Sequence, residues 1–218
     1  MSVQWTAQNQ LLEVEEFLAC FLMVSPLSSC REMLGMSSSS SMFPQKQVTL
    51  VNKMARGLWS VVWLLFFRPT PRPLHRWRCF LLRCFGANIG TGVRVYQSAR
   101  VWAPWNLIME DGSCLGDEVD CYCVDTVRLG AGATVSQYCY LCTASHDYTR
   151  RSHPLVTAPI RIGEAAWVAA DVFVGPGVTV GAGAVVGARS TVVRDVPPWV
   201  VVAGAPPRIF GPRELNDD

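Results

Sequence analysis

A period of six residues governs the second half of this chain. Ile162, Val168, Val174, Val180, Val186 and Val192 stand six apart. The residue after each is Gly163, Ala169, Gly175, Gly181, Gly187 and Val193, and four places after each comes Ala166, Val172, Val178, Ala184, Ser190 and Val196. Upstream the same phase runs through Ile89, Val95, Val101 and Leu107. A two-residue slip leads to Leu115 and Cys121, and a second to Leu129, Val135 and Leu141. Neither the 3.6-residue helical period nor a heptad fits this spacing. Short strands separated by tight turns do. One aliphatic residue per strand points into a narrow core, a small or β-branched residue fits near the corner, and glycine accepts turn angles that bulkier residues resist. Three strands close one triangular coil, and coils stack as a solenoid whose ladder bonds run between coils. Fifteen hexads, or about five coils, predict an all-β solenoid domain over residues 89–213, preceded by short amphipathic helices.

The rest of the chain reads differently. Residues 1–46 contain the Ser37–Ser41 tract and are expected to form a flexible tail, or to follow from an upstream start with Met36 and Met42 close by. The early apolar run Phe17–Val24 lacks a basic start, so it makes a poor secretory signal. Residues 47–88 form a basic, aromatic helical segment. Leu58–Phe67 is a ten-residue apolar run, too short to cross a bilayer alone, and Arg68-Pro-Thr-Pro-Arg-Pro73 breaks any helix after it. No acidic residue occurs between Glu32 and Glu110, while ten basic ones do. That composition suits a peripheral membrane contact at the cytoplasmic face or a cap on the open end of the solenoid, and proline and tryptophan there speak against nucleic acid. His75 within it is expected to be a surface histidine. Half of the 218 residues are apolar and 17% are charged, which excludes a disordered chain. Nine cysteines, an odd number in a chain of this size, point to reduced cytoplasmic thiols. Cys121-x-Cys123 and Cys139-x-x-Cys142 read as small buried hydrophobes, and no metal site is expected.

The ladder has one long interruption, from Leu141 to Ile162. Excursions of this kind at a solenoid corner are frequent binding loops. Two of the three histidines fall in it, His146 at its start and His153 inside, and an imidazole can take a proton near neutral pH. Asp147 adjoins the first, and Asp125 lies on the preceding coil.

The hexads, the segment Ser145-His-Asp147, the resumption Pro159-Ile-Arg-Ile-Gly163 with Trp167-Val168, and the tail Pro197 to Arg208 together resemble the hexapeptide-repeat acyltransferases. Within them they resemble the branch that contains colanic acid biosynthesis acetyltransferases. The resemblance implies a left-handed parallel β-helix, a hand that periodicity alone does not give, and a homotrimer. It implies acetyl-CoA as co-substrate and a sugar hydroxyl in exopolysaccharide biosynthesis as acceptor, the saccharide being lipid-linked at the inner membrane face. By carry-over His146 is the general base, with Asp147 or Asp125 as the supporting acid. His153 lies mid-loop and is not expected to be the base. Trp167, Ala170, Ala188, Arg194 and Arg208 match positions that contact coenzyme A. The base would deprotonate the hydroxyl, the alkoxide would attack the thioester, and backbone N–H groups would hold the oxyanion in a direct transfer. N-acetylation of another small acceptor and a non-catalytic scaffold are the alternatives. A carbonic anhydrase of the same fold would need three histidines for zinc, and only two lie near the solenoid.

Overall fold

The computed structural model describes residues 50–215, all of them within one compact unit that spans Ser41–Asp218. The expected tail, residues 1–46, lies outside the described residues. Helix α1 (Leu50–Val62) runs on through a π-helical turn, Trp63–Phe67, and the Pro-rich break leads to α2 (His75–Cys84). The apolar run foreseen over Leu58–Phe67 is thus the end of a longer helical segment, Leu50–Phe67, which by length and composition would suffice to cross a membrane.

From Asn88 onward the chain winds as a parallel β-solenoid of about six turns, five complete and a sixth partial. Strands Asn88–Ile89, Leu107–Met109, Val127–Leu129, Ile160–Ile162 and Thr179–Val180 stack as the first face. Arg94–Val95, Cys114–Leu115, Thr134–Val135, Trp167–Val168, Val185–Val186 and Val200–Gly204 stack as the second. Arg100–Val101, Asp120–Tyr122, Tyr140–Cys142, Phe173–Val174 and Thr191–Val192 form the third. The hexad aliphatics point inward and are buried, as are the residues four places on, from Ala166 to Val196. A narrow core explains the choice of side chains: Val and Ala pack across it without forcing neighbouring coils apart.

Register corrects two details of the sequence reading. Ile89 pairs with Met109, and Met109 with Leu129, so the first slip precedes Met109 and Leu107 is not the hexad position. Leu107 is buried as well, because the middle strands of the first face are three residues long and turn two side chains inward. At Gly163, Gly181 and Gly187 the glycine after the aliphatic is also there for a different reason. Gly163 and Gly187 do not have positive φ. A Cβ on Gly163 would stand 2.5 Å from the backbone N of Ala182 in the next coil, and one on Gly187 2.7 Å from the Ala203 Cβ. Close approach of successive coils, not turn conformation, excludes a side chain there. Positive φ falls instead on another column, Gly92, Gly112, Gly132 and Gly183, where Ala165 and Trp199 take the same conformation.

An open solenoid leaves the carbonyls of its first coil without a ladder partner, and such edges need covering. The helices do this with side-chain donors. Trp59 Nε1 donates to Val101 O at 2.7 Å and Trp63 Nε1 to Ala99 O at 2.9 Å. Fully buried Arg78 donates to Val95 O at 2.6 Å and to the Pro71 carbonyl and Thr70 hydroxyl of the break, while Arg83 reaches Ile89 O and Gly90 O. Burial lowers the Arg78 pKa, countered by the Cys79 thiol and the Asp117 carboxylate. His75, expected at the surface, is half-buried, with Nδ1 2.9 Å from Val95 O and its ring edge-on to Tyr96. Trp59, Phe67 and Leu82 continue the apolar core of the solenoid, so the cap is part of the fold. At the other end Pro207–Pro212 pairs antiparallel with Val200–Gly204.

Candidate functional site

Every departure from the six-residue step before Val192 falls on one edge of the prism, between the third and first faces. In the first coil it is a 3-10 turn, Pro104–Asn106; in the second, the turn through Cys123–Thr126; in the third, the long excursion. Because they share an edge, they stack, and polar side chains knit them together. Asn106 Nδ2 donates to the carbonyls of Cys123 and Val124. The buried Thr143 hydroxyl donates to Tyr122 O and accepts from the Asp125 N–H, each at 2.9 Å. The buried Thr157 hydroxyl donates to Asp125 Oδ2 at 2.9 Å.

The excursion is a hairpin. Ala144–His146 pairs antiparallel with Leu155–Thr157, in the register Ala144 to Thr157 and His146 to Leu155. Asp125 therefore holds the root of the hairpin through Thr157, while His146 stands exposed at the far end of the partner strand. His146 Nδ1 lies 2.7 Å from the backbone carbonyl of His153. A carbonyl can only accept, so Nδ1 carries the hydrogen and donates. In the neutral ring this leaves the lone pair on Nε2, the form a general base requires. His153 contributes its main chain: it has φ of 40°, a conformation rare outside glycine, and this turns its carbonyl back toward the ring.

Asp147 does not orient that imidazole. Its carboxylate accepts from the Thr149 hydroxyl at 2.6 Å and the Thr149 N–H at 3.0 Å, and pairs with Arg150 at 3.3 Å. The Thr149 bonds, helped by Arg150, hold its carboxyl below the usual carboxylate range. Its work is to close the hairpin turn.

The edge between the second and third faces is regular and lined with small residues. Ala170 and Ala188 follow one another up successive coils and, with Tyr138, Asp171 and Arg189, line an open groove of about 420 Å³. Asp171 and Arg189 pair across it at 3.3 Å. At its upper end, Arg208 is exposed on the closing strand and pairs with Ala203, which packs over Gly187. Trp167 is outward on the second face, 46% exposed, with Nε1 donating to the Ser136 hydroxyl at the foot of this edge. Four of the five residues foreseen as coenzyme contacts thus lie along one side of the prism. Arg194 does not: it follows the third-face strand Thr191–Val192 and is exposed on the hairpin's edge.

The sequence reading missed Tyr138, Asp171 and Arg189 in the groove, and also the His153 carbonyl and Thr157. Tyr138, Asp171 and Arg189 share a positive φ and occupy equivalent places in consecutive coils, which the hexad spacing could have marked as one turn position. Nothing in the spacing marks the His153 carbonyl.

The cysteines of the two paired motifs are buried and reduced. Cys139 donates to Ala169 O and Cys142 to Ala144 O. Burial pushes the Cys139 thiol up to about 11, so it stays protonated at neutral pH and is no nucleophile. Among the described residues no group of three or more His, Cys, Asp or Glu side chains is arranged for a metal ion.

Residues 159–194 match the family described as bacterial transferase hexapeptide (six repeats). A protein of Escherichia coli K12 named "Putative colanic acid biosynthesis acetyltransferase WcaF" is 44% identical over 155 residues, 71% of this chain and 85% of its own. The galactoside O-acetyltransferase of the same organism is 34% identical over 136 residues, 61% of this chain and 57% of its own. Among solved structures, a hexapeptide-repeat acetyltransferase of Vibrio cholerae complexed with acetyl coenzyme A superposes with a TM-score of 0.68 at 23% identity, covering 78% of this chain and 92% of its own. A galactoside acetyltransferase in complex with coenzyme A gives 0.67 at 22% identity, covering 78% and 86%. At these identities the structural matches speak to the fold.

Proposed function

This chain belongs to the hexapeptide-repeat acyltransferases and is an acetyltransferase, and from that premise we propose that it uses acetyl-CoA to acetylate a sugar hydroxyl in the assembly of an exopolysaccharide. The observation that carries the reading is the Nδ1 bond of His146 to a main-chain carbonyl, which leaves Nε2 free to take a proton. His146 removes the hydroxyl proton as the oxygen attacks the thioester carbonyl. The tetrahedral intermediate collapses with release of coenzyme A, and the thiolate recovers the proton from the imidazolium. The transfer is direct in this reading, and Cys139, buried, protonated and bonded to a carbonyl, offers no thiolate to compete with it.

The small-residue groove fits the donor. Methyl side chains at Ala170 and Ala188 let a pantetheine arm lie close to the backbone, and Arg189 and Arg208 supply cations for its phosphates. The histidine edge and the groove edge border opposite sides of the third face. A single copy thus presents the base and the donor groove to different sides. A trimer of parallel prisms would bring the hairpin of one copy to the groove of the next, and we assign the site to that interface.

The test is release of coenzyme A thiol from acetyl-CoA against a panel of saccharides that includes amino sugars. Acceptor-dependent release that is lost in His146→Ala supports the reading. Release confined to amino sugars would replace O- by N-acetylation, and turnover near wild type in the variant would remove His146 from its role.

A further inference from the structure

The helical cap has a second, outward face. Leu50, Val51, Met54, Leu58, Val61 and Leu65 are each more than half exposed. They recur at helical spacing on the side opposite Trp59, Trp63 and Phe67, which bind the solenoid. The stripe spans about 22 Å at the usual helical rise. Phe66, Trp77 and Phe80 extend it sideways onto α2: Trp77 Nε1 donates to Phe66 O at 2.9 Å, and the Trp77 and Phe80 rings stand 5.6 Å apart. A contiguous apolar surface of this size is unusual on a protein that meets only water.

The charges around it select what covers it. Residues 50–85 carry seven Lys and Arg and no Asp or Glu. Lys53, Arg68 and Arg76 are exposed beside the stripe. A second copy docked face to face would set these cations against their equivalents. An anionic lipid surface instead meets them with opposite charge and takes the leucines and aromatics into its acyl boundary. The helix lies along that surface and does not cross it. Trp59 and Trp63 are bonded to Val101 O and Ala99 O, and a spanning helix would drag the first coil into hydrocarbon.

We propose that the outward face of the helical cap, Leu50 to Leu65 with Phe66, Trp77 and Phe80, docks the protein flat on an anionic phospholipid bilayer. This stands apart from the acetyl transfer and does not depend on which acceptor is used.

The test is co-sedimentation of the full chain with phosphatidylcholine vesicles that contain or lack phosphatidylglycerol. Binding is expected to the anionic vesicles, weakened by salt and reduced by about tenfold or more in the double variant Leu58→Glu/Leu65→Glu, whose positions point away from the fold. Thiol release with a soluble acceptor and the melting temperature are followed alongside, to show that the fold persists. Should that double variant fail to fold, Lys53→Gln/Arg76→Gln provides the second arm, with binding expected to fall severalfold and melting unchanged. Absence of binding to anionic vesicles, or binding equal in wild type and folded variants, overturns the proposal. So does a fall in molar mass by light scattering in Leu58→Glu/Leu65→Glu without vesicle binding by the wild type, which would make the face an interface between copies.

Discussion

Two edges of the prism flank the third face, and they are built on opposite plans. The second-to-third edge repeats: Tyr138, Asp171 and Arg189 each turn at positive φ, with Ala170 and Ala188 before the last two. The third-to-first edge does not repeat: a 3-10 turn, a short polar turn and a hairpin are piled on one another. A repeating edge makes a long uniform groove, suited to an extended ligand. An irregular edge makes a single distinct place, where one imidazole can be held by contacts that occur once. The solenoid tolerates the second because its ladder bonds lie within the faces, and the corner backbone can leave and return without breaking them.

The largest effect should come from the unique place. His146→Ala is expected to cost about 10²- to 10⁴-fold in kcat, the usual range for a positioned general base, while His153→Ala keeps most activity because it retains its carbonyl. Equal losses in both would return the imidazole of His153 to the mechanism. Next comes the repeat itself. Gly163→Ala should lose about 1–3 kcal/mol or more, since its Cβ meets backbone of the next coil, whereas Gly175→Ala, whose nearest new neighbours stand at 3.5 Å, should be much milder. Thermal melts of the pair decide it, and equal melting points would refute close approach as the reason for glycine.

Smaller effects sharpen the contrast between edges. Thr157→Val removes one donor to Asp125 and should cost about 1–3 kcal/mol, with kcat falling more than KM as the hairpin root loosens. On the groove edge, Ala188→Trp should raise KM for acetyl-CoA by about tenfold with little change in kcat, the signature of lost ground-state binding. The smallest effect is electrostatic. The Asp147 carboxyl is held below its ordinary value, so its contribution to the turn is complete above the ordinary carboxylate pKa and is lost as pH falls through the depressed one. The Thr149 amide resonance should therefore titrate below the usual carboxylate range and stop titrating in Asp147→Asn. A midpoint at or above that range would contradict the assignment.

The hexads, the inward valines and the interruption carrying His146 could be read directly, because in a solenoid each residue's environment repeats with the local spacing. The helical cap was legible as apolar and basic segments, but its task was not: the donors Trp59, Trp63, Arg78 and Arg83 find carbonyls on strands far along the chain. The same holds for Asp147, whose position beside His146 suggested a partner for the ring; the hairpin turns its carboxylate to Thr149 and Arg150 instead.

By itself the sequence determined a three-sided parallel solenoid and the coil at which it opens, since period and composition are local and the faces follow from them. Only the tertiary structure decided that the insertions share one edge, that a glycine is required by the coil above it, and that the carbonyl of His153 holds the ring of His146. Those are consequences of stacking, which brings together residues that no spacing along the chain relates.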